Sequence, residues 1–220
     1  MLKPIRLRVF GKNALFSRPE LKVERYSYDV MTPSAARGIL DAIYYHPGLA
    51  WKIQRIIVEK PIRFVTIRRN EISDKISIRD AKRMAETGMH DCYIDRSKAI
   101  AQRAATILAD VSYVIEANFD LLPDKMGAQD SPEKFFAMFC NRARKGQCFT
   151  QPYFGCREFT AFFSLLDQDS PEPKPIAESR DLGIMLYDMD YSNPIDIRPI
   201  FFHAELENGV MEVAGKELLR

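Results

Sequence analysis

An α+β fold follows from the way two hydrophobic rhythms alternate along the 220 residues. Stretches such as PIRLRVF at 4–10 alternate apolar and polar side chains with the period of a half-buried strand. The segments 32–46 and 131–145 instead open on a hydroxyl residue followed by proline and then place apolar residues at helical spacing. The resulting order, strand, helix, strand, strand, helix, strand, is the βαββαβ order of a ferredoxin-like domain.

The first strand turns Ile5, Leu7 and Val9 inward and gives Arg6 and Arg8 to a basic outer face. Residues 11–31 have no clean period and read as a long connection with a short strand around Tyr26 to Val30. Thr32 and Pro33 open the first helix, whose apolar face is Ala36, Ile39, Leu40 and Ile43; it ends at Tyr44, Tyr45 and His46 because Pro47 and Gly48 cannot continue it. The β-branched run at 51–72 reads as a long strand bulged or broken near Pro61, closing on a polar cluster of Arg68, Arg69 and Asn70. Residues 73–103 are charged and weakly periodic, an insertion with a short helix near 78–86, and 104–122 returns as a strand. The second helix takes Ser131 as N-cap and Pro132 at its first position, with Phe135, Met138, Phe139 and Arg142 on a packing face and Lys134, Asn141 and Lys145 on a polar one. A strand then runs through 157–166. This places a first domain at 1–166; the Pro-rich segment DQDSPEPKPIAESR is linker-like, and 167–220 forms a small antiparallel β-sheet domain with a hairpin at Asn208-Gly209.

Composition is that of an ordinary globular chain, with 46% hydrophobic and 28% charged residues. There is no run of about 18 apolar residues and no signal-peptide core, so a cytoplasmic protein is the expectation. Cys92, Cys140, Cys148 and Cys156 show no CxxC spacing and only three histidines are present, which argues against a zinc site; no metal or cofactor is expected. The net charge of +2 hides an asymmetry. From Asp167 onward twelve acidic residues face five basic ones, a net of −7, so the first 166 residues carry +9. That distribution points to an anionic partner for the front of the molecule.

The densest candidate for such a partner is 131–159, where Arg142, Arg144, Lys145, Gln147 and Arg157 are interleaved with Phe149, Tyr153, Phe154 and two glycines. Cations meet phosphates, rings stack on bases and glycine lets the backbone approach, so the pattern suits a nucleic-acid strand. A solvated basic helix end followed by a strand of core aromatics accounts for the same residues equally well. Arg68 and Arg69 are further candidates for phosphate, or merely charge an exposed strand end.

KPIRFVTIRRNEI, QRAATILADVSYVIEANF, NRARKGQCFTQPYFGCREF and YSYDVMTPSAARGILDAIYYHP together resemble the Cas-five family of the type I-C CRISPR system, in the right order over nearly the whole chain. The resemblance implies a RAMP-type, RRM-like RNA-binding fold and a metal-independent endoribonuclease that cuts precursor CRISPR RNA within its repeat. Attack by the 2′-hydroxyl leaves a 2′,3′-cyclic phosphate and a 5′-hydroxyl, and the 5′ handle is retained within a complex with other subunits. The family supplies a tyrosine from the end of the first helix and a Lys-His pair at the start of the second. Tyr44 and Lys134 match; the pair's histidine is Phe135 here, and Asn118 stands where another family histidine is common. His46 is the histidine nearest in sequence to the expected site, and imidazole suits proton transfer near neutrality. A helix-end histidine beside proline is also ordinary, as is a tyrosine closing an apolar helix face. Two other readings remain open at this point: a structural subunit that caps the handle and cuts poorly or not at all, and a ferredoxin-like protein with no RNA partner.

Overall fold

The computed structural model describes residues 3–21, 23–88, 93–167, 169–193 and 195–220. In chain order its elements are β1 (Ile5–Ala14), β2 (Arg25–Tyr26), α1 (Pro33–Ile43), β3 (Leu49–Val58), β4 (Phe64–Ile72), α2 (Ile78–Thr87), β5 (Ile100–Leu121), α3 (Pro132–Arg144), β6 (Phe162–Leu165), β7 (Arg180–Asp190), β8 (Arg198–Leu206), β9 (Val210–Glu212) and β10 (Leu218–Leu219). This is a mixed α+β architecture of largely antiparallel sheets. His90 and Cys92 lie outside the described residues; Cys140, Cys148 and Cys156 are free thiols.

The seven-stranded sheet is built on β5, which is 22 residues long and starts at Ile100 rather than at 104. Its carboxy-terminal half pairs with β1 on one side and β3 on the other, and its amino-terminal half pairs with β4 and, in parallel, with β2. The 51–72 run is therefore two strands. Pro61 cannot donate to a ladder, and the chain changes partner stretch there, opposite Asp110, whose φ of 52° marks the corresponding irregularity in β5. Arg68 and Arg69 consequently sit inside β4, not at a strand end. The path across the sheet is β6-β1-β5-β3-β9, so β9 joins the large sheet while β7, β8 and β10 form a separate three-stranded one. Asn208 and Gly209, both at positive φ, make the tight turn that hands the chain from one sheet to the other.

One face of the large sheet carries the main core. Ile5, Leu7, Val9, Tyr113 and Ile115 meet Ile39, Leu40 and Ile43 of α1 and Phe135 and Phe139 of α3, and Met185 and Phe202 of the small sheet join the same cluster. Arg37 of α1 ties the small sheet in through a two-pronged pair with Asp188 on β7, at 2.5 and 2.9 Å. Met138, assigned to the packing face, is exposed; Cys140 and Ala143 pack in its stead, which rotates the buried stripe of α3 by about one position.

The opposite face bears the arginines of β1, but it is not a basic surface. Arg8 is paired with Glu59 at 2.8 Å, Glu59 also accepts from Ser112 at 2.9 Å, and Arg55 donates to the buried Glu116 at 2.7 Å. The segment after β6 runs back across this face: Glu172 pairs with Arg6 at 2.8 Å and the Ile176 N–H donates to the Val58 carbonyl. Within that linker-like stretch, 171–176 is thus a docked segment, extended because its prolines forbid helix and supply no N–H for a ladder.

Candidate active site

β3 and β5 are antiparallel neighbours with Leu49 opposite Leu121, so the turn entering β3 and the turn leaving β5 lie side by side. The first carries Tyr44, His46 and Gly48; the second leads through Gly127 and Asp130 to the N-cap Ser131, whose hydroxyl accepts from the Lys134 N–H at 3.2 Å. The expected catalytic residues Tyr44, His46 and Lys134 are thereby brought together around the buried ring of Phe135. The His46 ring lies 4.6 Å and the Tyr44 ring 6.4 Å from it, centroid to centroid. Phe135 is wholly buried, so the position where a histidine is expected points into the core side of this cluster.

Tyr44 is 7% exposed. Its hydroxyl has no hydrogen bond to the described residues, yet it is not among the sealed, unpartnered polar atoms, so it opens to solvent. Burial of the ring raises its pKa against the opposing cations of Lys134 and Arg142, and the phenol stays protonated at neutral pH. His46 accepts the Gly48 N–H on Nδ1 at 3.0 Å, which places the proton of the neutral ring on Nε2. Nε2 in turn faces Asp130 Oδ2 at 3.4 Å. An imidazole held this way can donate at Nε2, but it has no free lone pair with which to accept a proton. Gly48 is required for the turn: a Cβ there would stand 2.7 Å from Met126 Cγ and 3.2 Å from His46 Nδ1.

Asp130 was not singled out from the sequence. Its Oδ1 accepts from Lys134 Nζ at 2.9 Å and its Oδ2 from the Gly127 N–H at 2.8 Å, with the side chain only 9% exposed. The Lys134 ammonium, followed by the Gly127 N–H, holds its carboxyl below the usual range. The only advance signal was its spacing of four residues before Lys134, a common helix-surface pair.

The basic segment after α3 is a loop, and the strand expected over 157–166 is shorter, since β6 begins only at Phe162. Residues 147–161 form a docked loop, because successive N–H groups are taken by the core they cover. The N–H groups of Phe149 and Thr150 donate to the Ala42 carbonyl, and Arg142 Nη1 of α3 donates to the Ile43 carbonyl at 3.2 Å, so the loop and α3 together satisfy the last carbonyls of α1. Phe154 inserts its ring into the core, between Phe16 and Tyr113 at 6.2 Å from each. Gly155 makes that possible: φ is 76°, and a Cβ would fall 1.9 Å from the Leu15 carbonyl oxygen.

The expected RNA contacts divide into two groups. Arg142 turns inward, its guanidinium 5.2 Å from the Tyr44 ring centroid. Arg144 is paired two-pronged with Asp167 at 2.8 and 3.1 Å, and Arg69 is paired with Glu158 over the Phe159 ring. Arg68, Lys145, Gln147 and Arg157 are exposed and their side chains meet no partner among the described residues, while Phe149 is 75% exposed. Arg142, Gln147 and Phe149 line one open concavity beside the end of α1. Arg68, Arg69 and Arg157 belong to a separate region, on β4 and the loop tip that Glu158 docks against it. Among the described residues no group of three or more His, Cys, Asp or Glu side chains is placed to hold a metal ion, and no helix is long and apolar enough to cross a membrane.

A family model described as CRISPR-associated protein (Cas5), in its Cas5d form, matches residues 5–214. A protein of Mannheimia succiniciproducens named CRISPR pre-crRNA endoribonuclease Cas5d is 49% identical over 97% of this chain and 96% of its own length. One of the same name from Thermus thermophilus is 34% identical over 97% and 92%. Among solved structures, a CRISPR-associated protein superposes with a TM-score of 0.68 at 22% identity over 99% of this chain and 96% of that one. A functionally uncharacterized protein from Streptococcus mutans does so with 0.66 at 21%, over 99% and 97%.

Proposed function

Because the chain belongs to the Cas5d family of CRISPR-associated proteins, we propose that it is a metal-independent, sequence-specific endoribonuclease that cuts precursor CRISPR RNA within the repeat. It then keeps the 5′ handle as a subunit of a type I-C surveillance complex. The observation that carries this reading is the meeting of Tyr44 and Lys134 at one solvent-facing corner, next to a loop that presents Lys145, Gln147 and Phe149. The fold we read as ferredoxin-like over 1–166, supported by the strand path β6-β1-β5-β3 with α1 and α3 on one face, and 167–220 as a small sheet domain that shares its core.

In this reading the scissile phosphate lies against the Lys134 ammonium, which stabilises the charge that accumulates on the phosphoryl oxygens during in-line attack. The protonated Tyr44 hydroxyl orients the attacking 2′-hydroxyl or a phosphate oxygen as a hydrogen-bond donor, a role that its raised pKa suits better than that of a base. His46 can only donate, from Nε2; as the 2′-O–P bond forms and the P–O5′ bond breaks, the 2′-hydroxyl proton passes to water and the leaving 5′ oxygen takes one from the solvent. Incubating the protein with its repeat RNA in EDTA should give a 2′,3′-cyclic phosphate and a 5′-hydroxyl. Lys134→Ala should slow cleavage by about 10²–10³-fold while weakening RNA binding far less, because the ammonium acts mainly on the transition state. No cleavage, or products without a cyclic phosphate, would overturn the reading.

A second reading, a handle-capping subunit that cuts poorly, is favoured by one feature: no imidazole here has a free lone pair. Phe135 replaces the family's histidine and His46 is engaged at Nδ1. Tight, salt-sensitive handle binding without turnover would select it.

A further inference from the structure

We propose that Asp130 is the positioning residue of this site, holding the Lys134 ammonium by a hydrogen bond while it stands against the His46 ring; the inference rests on the endoribonuclease reading above. A lysine on the first turn of a helix has a four-carbon stem and ordinarily samples many rotamers. Here its Nζ is held by Asp130 Oδ1 at 2.9 Å and approaches the Gln129 carbonyl at 3.5 Å. Two of its three donors are thereby fixed and the third is left for the open side, where Lys134 is 47% exposed. Asp130 is itself fixed. Its other oxygen takes the Gly127 N–H at 2.8 Å, its own N–H donates to the Gly127 carbonyl at 3.0 Å, and His46 Nε2 closes the remaining side at 3.4 Å. An exposed ion pair is worth little by itself. A carboxylate 9% exposed and met from three directions is a different object: it sets the direction of the cation that the phosphate must find.

Asp130 also neutralises that cation, so its two effects on RNA have opposite signs. Removing the charge should favour binding of the polyanion and disfavour cleavage. Asp130→Asn is the informative variant, since its amide oxygen still accepts the Gly127 N–H and keeps the turn. In single-turnover reactions at saturating repeat RNA, Asp130→Asn should cleave about 10- to 100-fold more slowly, with Kd unchanged or lower. A merely structural residue would weaken both together. Cleavage within about twofold of the parent, or a Kd that rises in step with the lost rate, would overturn the proposal. A readout that needs no turnover separates it from the functional reading. The Lys134 side-chain ammonium resonance in nitrogen-15 NMR should be protected from solvent exchange in the parent and lost in Asp130→Asn. Absence of that protection in the parent refutes the positioning even if RNA is cut, whereas protection in a parent that does not cut refutes the endoribonuclease reading and leaves the positioning standing.

Discussion

Phe149 offers the sharpest test of the loop, because its backbone and its side chain have separate tasks. The N–H is committed to the Ala42 carbonyl at 2.8 Å, whereas the ring is 75% exposed and packs on nothing in the core. Truncating Phe149 to alanine therefore leaves the anchoring bond in place and should change stability by no more than about 0.5 kcal/mol, the usual range for a surface site. If the ring stacks on a base of the handle, its loss removes roughly 1–3 kcal/mol of binding, or about 5- to 150-fold in Kd. Fluorescence anisotropy with a labelled handle RNA at fixed salt reads the affinity, and a urea melt reads the stability. Phe154→Ala is the matched control. That ring is wholly buried, so its removal should cost about 3–5 kcal/mol of stability, with any loss of binding following from the damaged loop. An unchanged Kd for Phe149→Ala would refute the stacking argument, and a large stability loss would refute the division between anchored backbone and free ring.

Three further substitutions probe the supports. Arg142→Lys keeps a positive charge but cannot both reach the Ile43 carbonyl and lie flat by Tyr44; cleavage should fall about tenfold while affinity holds, whereas a phosphate contact would lose affinity and reduce the salt slope. Gly155→Ala meets both a left-handed φ and the Leu15 carbonyl, so it should destabilise by more than the ~1–2 kcal/mol of the backbone term alone, seen as a lower urea midpoint and a loop open to proteolysis. For Asp130 the linkage has a definite sign. Its folded pKa is depressed, so its contribution to stability is present above the ordinary aspartate value near 4 and is lost as pH falls through the lowered value. The gap in urea midpoint between the parent and Asp130→Asn should therefore be open at pH 6, begin to narrow below about pH 4 and close once the pH is under the lowered value.

Much of the fold was legible because it is written in local rules. Thr32-Pro33 and Ser131-Pro132 mark both helix starts, since hydroxyl caps and N1 prolines act within one turn, and Ser77 caps the helix at 78–87 in the same way. The alternation in 4–10 marked β1, and the proline at 61 marked the break between β3 and β4. What the sequence could not show depends on partners distant along the chain. Arg6 and Arg8 read as a basic face because Glu172 and Glu59 lie far away in sequence. Residues 157–161 read as the start of a strand that begins only at Phe162, because the Phe154 and Ala161 N–H groups are taken by the Phe159 and Pro152 carbonyls within the loop. Tyr44, His46 and Lys134 are candidates that residue type and family resemblance supply. Asp130 is not among them, because an aspartate four residues before a lysine is commonplace until His46 arrives from another element to cover it.

The end of α1 is where these observations join. A helix leaves its last carbonyls without internal partners, and α1 has no basic residue in its own last turn to answer them. Ala42 is answered by the N–H groups of Phe149 and Thr150, and Ile43 by the guanidinium of Arg142, which also lies beside the ring of Tyr44. The loop that presents the exposed aromatic is fixed at the Ala42 carbonyl and α3 at the Ile43 carbonyl, so both are tied to the helix end that presents the phenol. A displacement of the loop would break its bonds to the Ala42 carbonyl and loosen the end of α1, and Tyr44 follows immediately. The loop and the Tyr44 phenol are in this way parts of one bonded structure, and Arg142, read from the sequence as an RNA contact, faces inward.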